Sequence, residues 1–459
     1  MEKTVKSSLY TIAGAAALGM IAKAKSASAN IKHDIFNPSN VHSSTSAYKL
    51  MEQCNKGFKD GAIIGAELVG NSSKLVQAIQ DNSINAIITS PPYYGVANYT
   101  NNEAEIGAPN SGKRKYVEDL VTLFVNLKSK LKDDGTLWVN LGNKNADQEI
   151  ISVFDVAMLA NGWSLVQKIV WTKSNKMPKG ISKRAGTPKF PIQTEVIFVY
   201  AKNKSTYKLY SLLEPTTSKK GRRYSKRRSR NAKGKLTVQN TKTKSVKDWQ
   251  IMGNIWETGN VTPITTDFDE VVFDKVFGQT KYSFMKHAYS TARHVAIMNP
   301  IIVRNCIWSA TKPGDVILDP FSGTGTVTNI AKMMGRIGIG FELDTIHSLM
   351  AVVGKDFSYT DKWQQVKIRD ERNKKDQTTE PLPESHKDYQ MSVKEVSKGK
   401  FHFLRGDAPY KTKLINFNTV RFSDNPLWKH VSIDTNSQQI ITGAQKTVND
   451  ILDMIYGKE

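Results

Sequence analysis

Two short polar loops carry the residues of this chain whose types and spacing could do chemistry. Thr89–Tyr93 follows the apolar run Ala86–Ile88, and Asp319–Thr326 follows the apolar run Val316–Leu318. Because such runs are typical of buried strands, we expect both loops at the carboxyl edge of one sheet, where open α/β folds bind ligands. The two strands must then be neighbours, although they lie far apart in the sequence.

The first loop has the groups needed to orient an exocyclic amino group of a nucleic-acid base. Pro91 and Pro92 force an extended, rigid backbone, which fixes Ser90 Oγ and the carbonyls beside it as hydrogen-bond acceptors. Such acceptors can take the amino hydrogens and direct the nitrogen lone pair at a methyl sulfonium. Tyr93 offers a flat face for a flipped base, and stacking of this kind contributes about 1–3 kcal/mol. A proline-rich surface turn without a ligand is the alternative.

The second loop opens the pattern of a nucleotide-binding half-unit. Gly323 and Gly325 permit a sharp turn and a close approach of backbone to ligand. A helix is predicted over Thr326–Met334, and the strand Ile337–Glu342 ends in an acid placed to accept hydrogen bonds from a ribose. The third glycine of the dinucleotide fingerprint is absent, because Thr328 stands in its place. The pattern therefore favours an adenosine without phosphates, with a tight turn that binds nothing as the alternative.

Taken in this order, the motifs resemble the amino-group DNA methyltransferases that use S-adenosylmethionine, in the class whose catalytic loop precedes the cofactor loop. The resemblance covers about residues 61–350, and the segments Trp171–Asn175 and Glu195–Lys202 also match family landmarks. It implies an α/β fold of the Rossmann-like methyltransferase type, with a mostly parallel seven-stranded sheet. It further implies an inserted target-recognition region and a small C-terminal extension.

The resemblance also assigns site residues. The implied catalytic residues are Ser90, Pro91, Pro92 and Tyr93. The implied cofactor-binding residues are Asp319, Pro320, Phe321, Ser322, Gly323, Thr324, Gly325, Thr326, Glu342, Asn71, His294, Met298, Asn299 and Pro300. Two positions depart from the family: an amide at Asn71 replaces an acidic cofactor contact, and Asn299 replaces a phenylalanine, with Met298 expected against the adenine instead. No residue is assigned to a metal.

The first residue of the catalytic tetrapeptide bears on which base is methylated. In this family Ser-Pro-Pro-Tyr is mostly associated with cytosine N4 and Asp-Pro-Pro-Tyr with adenine N6, so Ser90 favours cytosine. Two alternatives stay open: adenine N6, and a DNA-binding protein that kept the fold but lost turnover. Ring-carbon methylation would need a nucleophilic cysteine beside the base. Cys54 and Cys306 both lie outside the catalytic loop and are expected to be buried apolar residues.

The charge of the chain favours a polyanionic partner. Lys and Arg number 65 against 42 Asp and Glu, which gives a net charge of +23. Between Lys219 and Lys247 there are 13 basic residues and no acid. This segment lacks apolar periodicity and is predicted to be a loop or arm that contacts DNA, with a solvated charged loop as the alternative. The expected DNA-binding residues are Arg222, Arg223, Lys226, Arg227, Arg228 and Arg230.

The 459 residues are enough for two or three units. We expect an N-terminal extension (1–60), a catalytic half (61–210), a basic target-recognition insertion (211–283), a cofactor-binding half (284–355), a polar linker (356–400) and a C-terminal unit (401–459). The apolar run Ile12–Ala22 imitates a signal peptide but is too short to span a bilayer. Lys23, Lys25 and a DNA substrate favour a cytoplasmic enzyme without a membrane partner. Double-stranded DNA is the expected partner; a restriction endonuclease acting on the same site, the recognition sequence and the oligomeric state are left open.

Overall fold

The computed structural model of the protein has an α/β architecture in which helices cover both faces of a central sheet. It describes residues 34–40, 45–61, 63–95, 105–107, 111–142, 147, 149–173, 192–215, 227–230, 234–239, 249–258, 298–344, 347–348, 351, 367–370, 377–378 and 430–434. Both predicted loops and the strands that precede them lie within these ranges. The apolar run Ile12–Ala22 lies outside them, as do His294, Arg222, Arg223 and Lys226.

The strands and helices of the described residues have the following bounds. The strands are β1 (Gly65–Val69), β2 (Ile84–Thr89), β3 (Leu131–Leu141), β4 (Ser164–Lys173), β5 (Thr194–Ala201), β6 (Tyr210–Pro215), β7 (Arg227–Arg230), β8 (Leu236–Gln239), β9 (Trp249–Ile251), β10 (Ile255–Thr258), β11 (Val316–Asp319), β12 (Ile337–Glu342), β13 (Lys367–Asp370), β14 (Gln377–Thr378) and β15 (His430–Asp434). The α-helices are α1 (Thr45–Asp60), α2 (Ser72–Leu75), α3 (Lys113–Leu127), α4 (Glu149–Ala160), α5 (Pro300–Ala310) and α6 (Thr326–Met333). Short 3-10 turns occupy Pro38–Asn40 and Val76–Ala78. None of these helices combines the length and apolarity needed to cross a membrane.

The central sheet has the strand order β10-β4-β5-β3-β2-β11-β12-β1-β15 in the part of the chain that the structure describes. β5 is antiparallel to β3 and β4, and every other pairing in this sheet is parallel. β2 and β11 pair directly, with Ile317 opposite Ala86 and Leu318 opposite Ile87. The predicted α/β class, the mostly parallel sheet and the adjacency of the two loop-bearing strands are therefore confirmed.

Helices bury both faces of the sheet. Along β2, Ile87 packs into the layer formed with α1 to α4, whereas Ala86 and Ile88 pack into the layer formed with α5 and α6. This alternation follows from the period of two along a strand. Cys54 is buried in the first layer and Cys306 in the second, as expected for apolar cysteines.

The sheet is wider than the predicted seven strands because two edge strands extend it. β1 to β5, β11 and β12 make the seven, and β10 from the basic insertion pairs with β4 at one edge. At the other edge β15, from the C-terminal 401–459 segment, pairs with β1. The polar 356–400 segment, expected as a linker, contributes β13 and β14 to a separate four-stranded sheet with β6 and β9. The strand conformation of β13 depends on its backbone pairing with β6, and the charge pattern of the segment does not indicate that pairing.

Two local predictions were wrong. The middle of the basic segment was expected as a loop or arm, but β7 and β8 form a two-stranded antiparallel ribbon there. Gly234, at φ +72°, lies between them, and the β-branched residues Thr237 and Val238 favour an extended backbone. The sequence also predicts a helix over Tyr116–Leu131. Helix α3 instead covers Lys113–Leu127, because Leu131 already pairs with Ile84 at the start of β3.

Candidate active site

The catalytic and glycine loops meet at the carboxyl edges of β2 and β11. Thr89 Oγ1 donates a hydrogen bond of 2.6 Å to Asp319 Oδ1, and both side chains are buried. Asp319 Oδ1 also accepts a hydrogen bond from the Phe321 N–H at 3.0 Å. One carboxylate oxygen therefore fixes the start of the glycine loop and ties it to the residue immediately before Ser90. The sequence motifs assign Thr89 no role of its own.

The tetrapeptide side chains are linked to two residues for which sequence analysis assigned no role, Asn140 and Glu195. Tyr93 Oη donates to Glu195 Oε2 at 2.7 Å, and Ser90 Oγ lies 3.4 Å from Tyr93 Oη. Asn140 Nδ2 lies 2.8 Å from Glu195 Oε2, 2.9 Å from Tyr93 Oη and 3.4 Å from Ser90 Oγ. An ionised carboxylate can only accept hydrogen bonds. The Tyr93 hydrogen therefore points to Glu195, and the Ser90 hydrogen points to Tyr93.

Glu195 reaches this loop because β5 runs opposite to its neighbours, which puts its first residues at their carboxyl edge. Lys173, at the end of β4, forms an ion pair with Glu195. Gly142 lies between the parts: a Cβ there would be 2.8 Å from Tyr93 Cε2 and 3.2 Å from Glu195 Cγ. A glycine is needed at this position for the tyrosine and the carboxylate to approach.

Tyr93 remains a neutral phenol in this setting. Burial, together with the nearby Glu195 charge, holds the pKa of Tyr93 well above its usual range. The rest of the loop is held from the side of α3, where Tyr116 Oη donates to the Pro92 carbonyl at 2.9 Å. Pro91 is buried, whereas Ser90 and Tyr93 are partly exposed. The loop is thus rigid and presents a hydroxyl and a ring at its accessible side.

The glycine loop has the predicted turn. Gly323 and Gly325 have φ values of +54° and +80°, the left-handed region that glycine tolerates best. Gly323 N–H donates to Glu342 Oε2 at 2.8 Å, and Asp344 N–H donates to Glu342 Oε1 at 2.9 Å. The Pro320 carbonyl accepts a hydrogen bond of 2.6 Å from Ser72 Oγ on α2. Glu342, predicted from the strand pattern, therefore lies against the turn.

A second acid, which sequence analysis missed, lies beneath the same turn. Glu67 on β1 is fully buried and accepts hydrogen bonds from Ser322 Oγ at 2.5 Å and Thr328 Oγ1 at 2.8 Å. Burial raises the pKa of Glu67 to about 7, and burial lowers the pKa of the neighbouring Lys332 to about 7. Burial likewise raises the pKa of Asp319 to about 7, with the charges of Glu67 and Glu342 acting in the same direction.

The other predicted cofactor residues have local structural partners. Asn71 caps α2 by accepting a hydrogen bond from the Ser73 N–H at 2.9 Å. Asn299 caps α5 through the Ile301 N–H at 2.8 Å, and Pro300 occupies the first turn of that helix. Met298 is buried in the apolar layer of α5 and α6. These contacts explain why both positions carry an amide, since asparagine is a favoured N-cap residue.

The chemistry of the glycine loop fits S-adenosylmethionine. That molecule carries positive charge on its sulfonium and its amino group and has no phosphate. Glu342 and the ionised form of Asp319 supply negative charge around the turn, and Asp319–Thr326 contains no lysine or arginine that would pair with a phosphate. Gly323 and Gly325 leave the backbone open to close approach.

A mostly parallel sheet, a glycine turn opening a helix and an acid ending the next strand define a Rossmann-like nucleotide-binding domain. The chain belongs to the DNA methylase family, whose N6_N4_Mtase pattern matches residues 84–353. It is thus a DNA methyltransferase of the N4/N6 amino-group type that uses S-adenosylmethionine as methyl donor and DNA as substrate. The resemblance read from the motifs is confirmed.

The proteins that this chain resembles are described as methyltransferases. The chain is 26% identical over 318 residues to the Type II methyltransferase M.SmaI of Serratia marcescens. The aligned region covers 62% of this chain and 88% of that protein. It is 25% identical over 316 residues to the Type II methyltransferase M.Cfr9I of Citrobacter freundii, covering 62% and 85%. Among solved structures, the PvuII DNA methyltransferase (cytosine-N4-specific) matches with a TM-score of 0.40 and 16% identity, covering 73% of this chain and 93% of that one.

Proposed function

We propose that this protein is a site-specific DNA methyltransferase that methylates the exocyclic N4 of cytosine. The observation that carries the choice of base is the neutral hydroxyl of Ser90 at the head of the tetrapeptide, where the adenine N6 enzymes of this family mostly have a carboxylate. Among the described residues, the hydrogen-bond partners of Ser90 Oγ are also neutral: Tyr93 Oη and Asn140 Nδ2, each at 3.4 Å. Among the described residues, Glu195 is hydrogen-bonded to these two groups and not to Ser90 itself.

In the proposed reaction, Ser90 Oγ and the adjacent backbone carbonyls accept the amino hydrogens of a flipped base. Ser90 uses its own hydrogen toward Tyr93, and Tyr93 uses its hydrogen toward Glu195. One lone pair of Ser90 Oγ faces Asn140 Nδ2 at 3.4 Å, and the other is available to an N–H donor of the base. Pro91 and Pro92 keep these acceptors in place, and anchoring of the Tyr93 hydroxyl fixes the plane of its ring for stacking on the base.

The proposed cofactor contacts are Asp319, Pro320, Phe321, Ser322, Gly323, Thr324, Gly325, Thr326 and Glu342, together with Met298 and its neighbours Asn299 and Pro300. When bound, S-adenosylmethionine supplies an electrophilic methyl group. Asp319 would balance the positive charge of the cofactor, and Glu342 would accept from the ribose while holding Gly323. The hydrogen bond from Thr89 to Asp319 would keep this half of the pocket aligned with Ser90.

DNA contact is proposed for the basic 211–283 insertion. Arg227, Arg228 and Arg230 lie on β7 of the antiparallel ribbon, and a two-stranded ribbon fits the major groove of DNA. The relatives named Type II methyltransferases support a role in protecting a recognition sequence from a companion restriction endonuclease inside the cell.

Mass spectrometry of nucleosides tests the choice of base. The protein is incubated with duplex DNA and S-adenosylmethionine labelled in its methyl group, and the digested DNA is then examined. Labelled N4-methylcytosine is expected. Labelled N6-methyladenine would replace the proposal with the alternative base, and a lack of label in both, with DNA binding retained, would indicate a protein that has lost turnover. Ser90→Ala is the matched variant, expected to lose label while its cofactor affinity is unchanged.

A further inference from the structure

We infer that Glu67 is a positioning residue for the cofactor: it holds the glycine turn from beneath and thereby sets cofactor affinity without touching the cofactor. This inference rests on the proposed assignment of Asp319–Thr326 as the cofactor loop. Glu67 lies in the middle of β1, is fully buried and is not part of either sequence motif.

The first support is the way the two carboxylate oxygens are used. Oε2 of Glu67 accepts from Ser322 Oγ at 2.5 Å, and Oε1 accepts from Thr328 Oγ1 at 2.8 Å. Ser322 directly precedes the turn that contains both glycines, and Thr328 follows it in the first turn of α6. A single carboxylate therefore fixes the distance between the two ends of the turn. Both hydrogen bonds and the nearby charge of Lys332 favour the ionised form of Glu67, and hydrogen bonds to an ionised acceptor are stronger than neutral ones.

The second support is how the sheet makes room for the acid. Glu67 pairs with Gly340 on β12, and a Cβ at Gly340 would lie 1.8 Å from Glu67 Oε2. Any other residue there would displace the carboxylate. On the same strand, a Cβ at Gly338 would lie 2.6 Å from the Thr328 carbonyl oxygen. Gly338 thus provides the close helix–strand packing that a third glycine on the helix gives in dinucleotide-binding folds.

This exchange explains why the helix can carry Thr328 where the dinucleotide pattern has glycine. With the packing role moved to Gly338, position 328 is free to present a hydroxyl to Glu67. Lys332 lies four residues later and hence on the same face of α6, where its positive charge interacts with Glu67. The turn is therefore held from two sides, by Glu67 below and by Glu342 through the Gly323 N–H.

Calorimetry with S-adenosylmethionine and steady-state kinetics test the inference together. Glu67→Gln keeps the size of the side chain but weakens its acceptance from two hydroxyls, and should raise the cofactor Kd and KM at least fivefold. The kcat at saturating cofactor should change less than twofold, and DNA affinity should not change. Thr328→Val removes one hydroxyl without changing shape and should act in the same direction, whereas Thr328→Ser should restore near-wild-type affinity. The threonine pair keeps the test valid if Glu67→Gln fails to fold.

Glu342→Ala serves as the reference variant for the cofactor loop itself. If Glu342→Ala weakens cofactor binding while Glu67→Gln and Thr328→Val lower only the melting temperature, Glu67 is merely structural and the inference is wrong. A drop in kcat at unchanged cofactor Kd in the Glu67 variant would also overturn it. If none of the three variants alters cofactor affinity, the assignment of the cofactor loop fails and the inference falls with it.

Discussion

Thr89 and Asp319, 230 residues apart in the sequence, are joined by a hydrogen bond of 2.6 Å between two buried side chains. Thr89 ends the strand that leads into the catalytic loop, and Asp319 ends the strand that leads into the glycine loop. Methyl transfer requires the reacting nitrogen and the methyl group to be held in line at close range. This hydrogen bond joins the residue before Ser90, in the proposed base-binding loop, to the first residue of the proposed cofactor loop.

Thr89→Val is expected to weaken both cofactor binding and turnover. The change preserves shape but removes a hydrogen bond to a carboxyl group, which contributes about 1.5–3 kcal/mol. Isothermal titration and single-turnover methylation measure the two effects. Thr136→Val is the matched control, because Thr136 is buried in the same sheet and accepts from Trp138 Nε1, away from both loops. A Thr89 variant with the kinetics of the Thr136 variant would show that the link does not matter for activity.

Substitution of Tyr93 separates its ring from its hydroxyl. Tyr93→Ala should lower turnover at least tenfold, because base stacking contributes about 1–3 kcal/mol and loss of the ring also misaligns the base. Tyr93→Phe keeps the ring but removes its hydrogen bond to Glu195, and should give a smaller loss of turnover. Cofactor affinity should be unchanged in both Tyr93 variants. Tyr200→Phe is the control: it removes another tyrosine–carboxylate hydrogen bond from β5, to Asp155, on the core side of the sheet. Wild-type turnover in Tyr93→Ala would exclude this loop as the base pocket.

Cofactor binding should strengthen as the pH rises through about 7. The pKa of Asp319 is raised to about 7 by burial, whereas an unfolded aspartate titrates near 3.9. Its raised pKa stabilises the fold at low pH, and this contribution is lost as the pH rises through 7, where Asp319 ionises. A positively charged cofactor binds the ionised form better, so its Kd should fall roughly tenfold between pH 6 and 8, the change expected for one titrating group.

Asp319→Asn should remove most of this pH dependence in calorimetric titrations. Asp155→Asn is a suitable control, because Asp155 is also buried but bonds to Tyr200 and Lys168 rather than to the loops. Equal pH slopes in wild type and Asp319→Asn would assign the titration to another group, with Glu67 the first to examine since its pKa is also raised to about 7.

Neutralising six residues of the basic segment should lower the salt dependence of DNA binding. If Arg222, Arg223, Lys226, Arg227, Arg228 and Arg230 contact phosphates, the slope of log affinity against log salt falls by roughly 0.9 for each contact removed. Specific and nonspecific duplexes should be affected about equally, because phosphate contacts carry no sequence information. Neutralising the exposed Lys49 and Lys56 of α1 reduces the net charge without changing the insertion. A slope that changes as little as in this control would leave these six residues without a role in DNA binding.

Much of the fold followed from the sequence because its signals are local. Apolar runs ending in Ile88 and Leu318 predicted two buried strands, and the polar residues after them predicted loops at one edge. The turn at Gly323 and Gly325 was predictable because only glycine adopts positive φ without strain. These features depend on residues within a few positions of one another.

Tertiary structure alone decided which distant side chains complete the pocket. Glu195 reaches Tyr93 only because β5 is antiparallel to its neighbours. The apolar pattern of a strand predicts its burial but not its direction in the sheet. Glu67 lies under the glycine turn only because β1 pairs with β12, where Gly340 makes space for its carboxylate. Strand order and direction are set by the packing of the whole sheet, whereas sequence periodicity reports only which residues are buried.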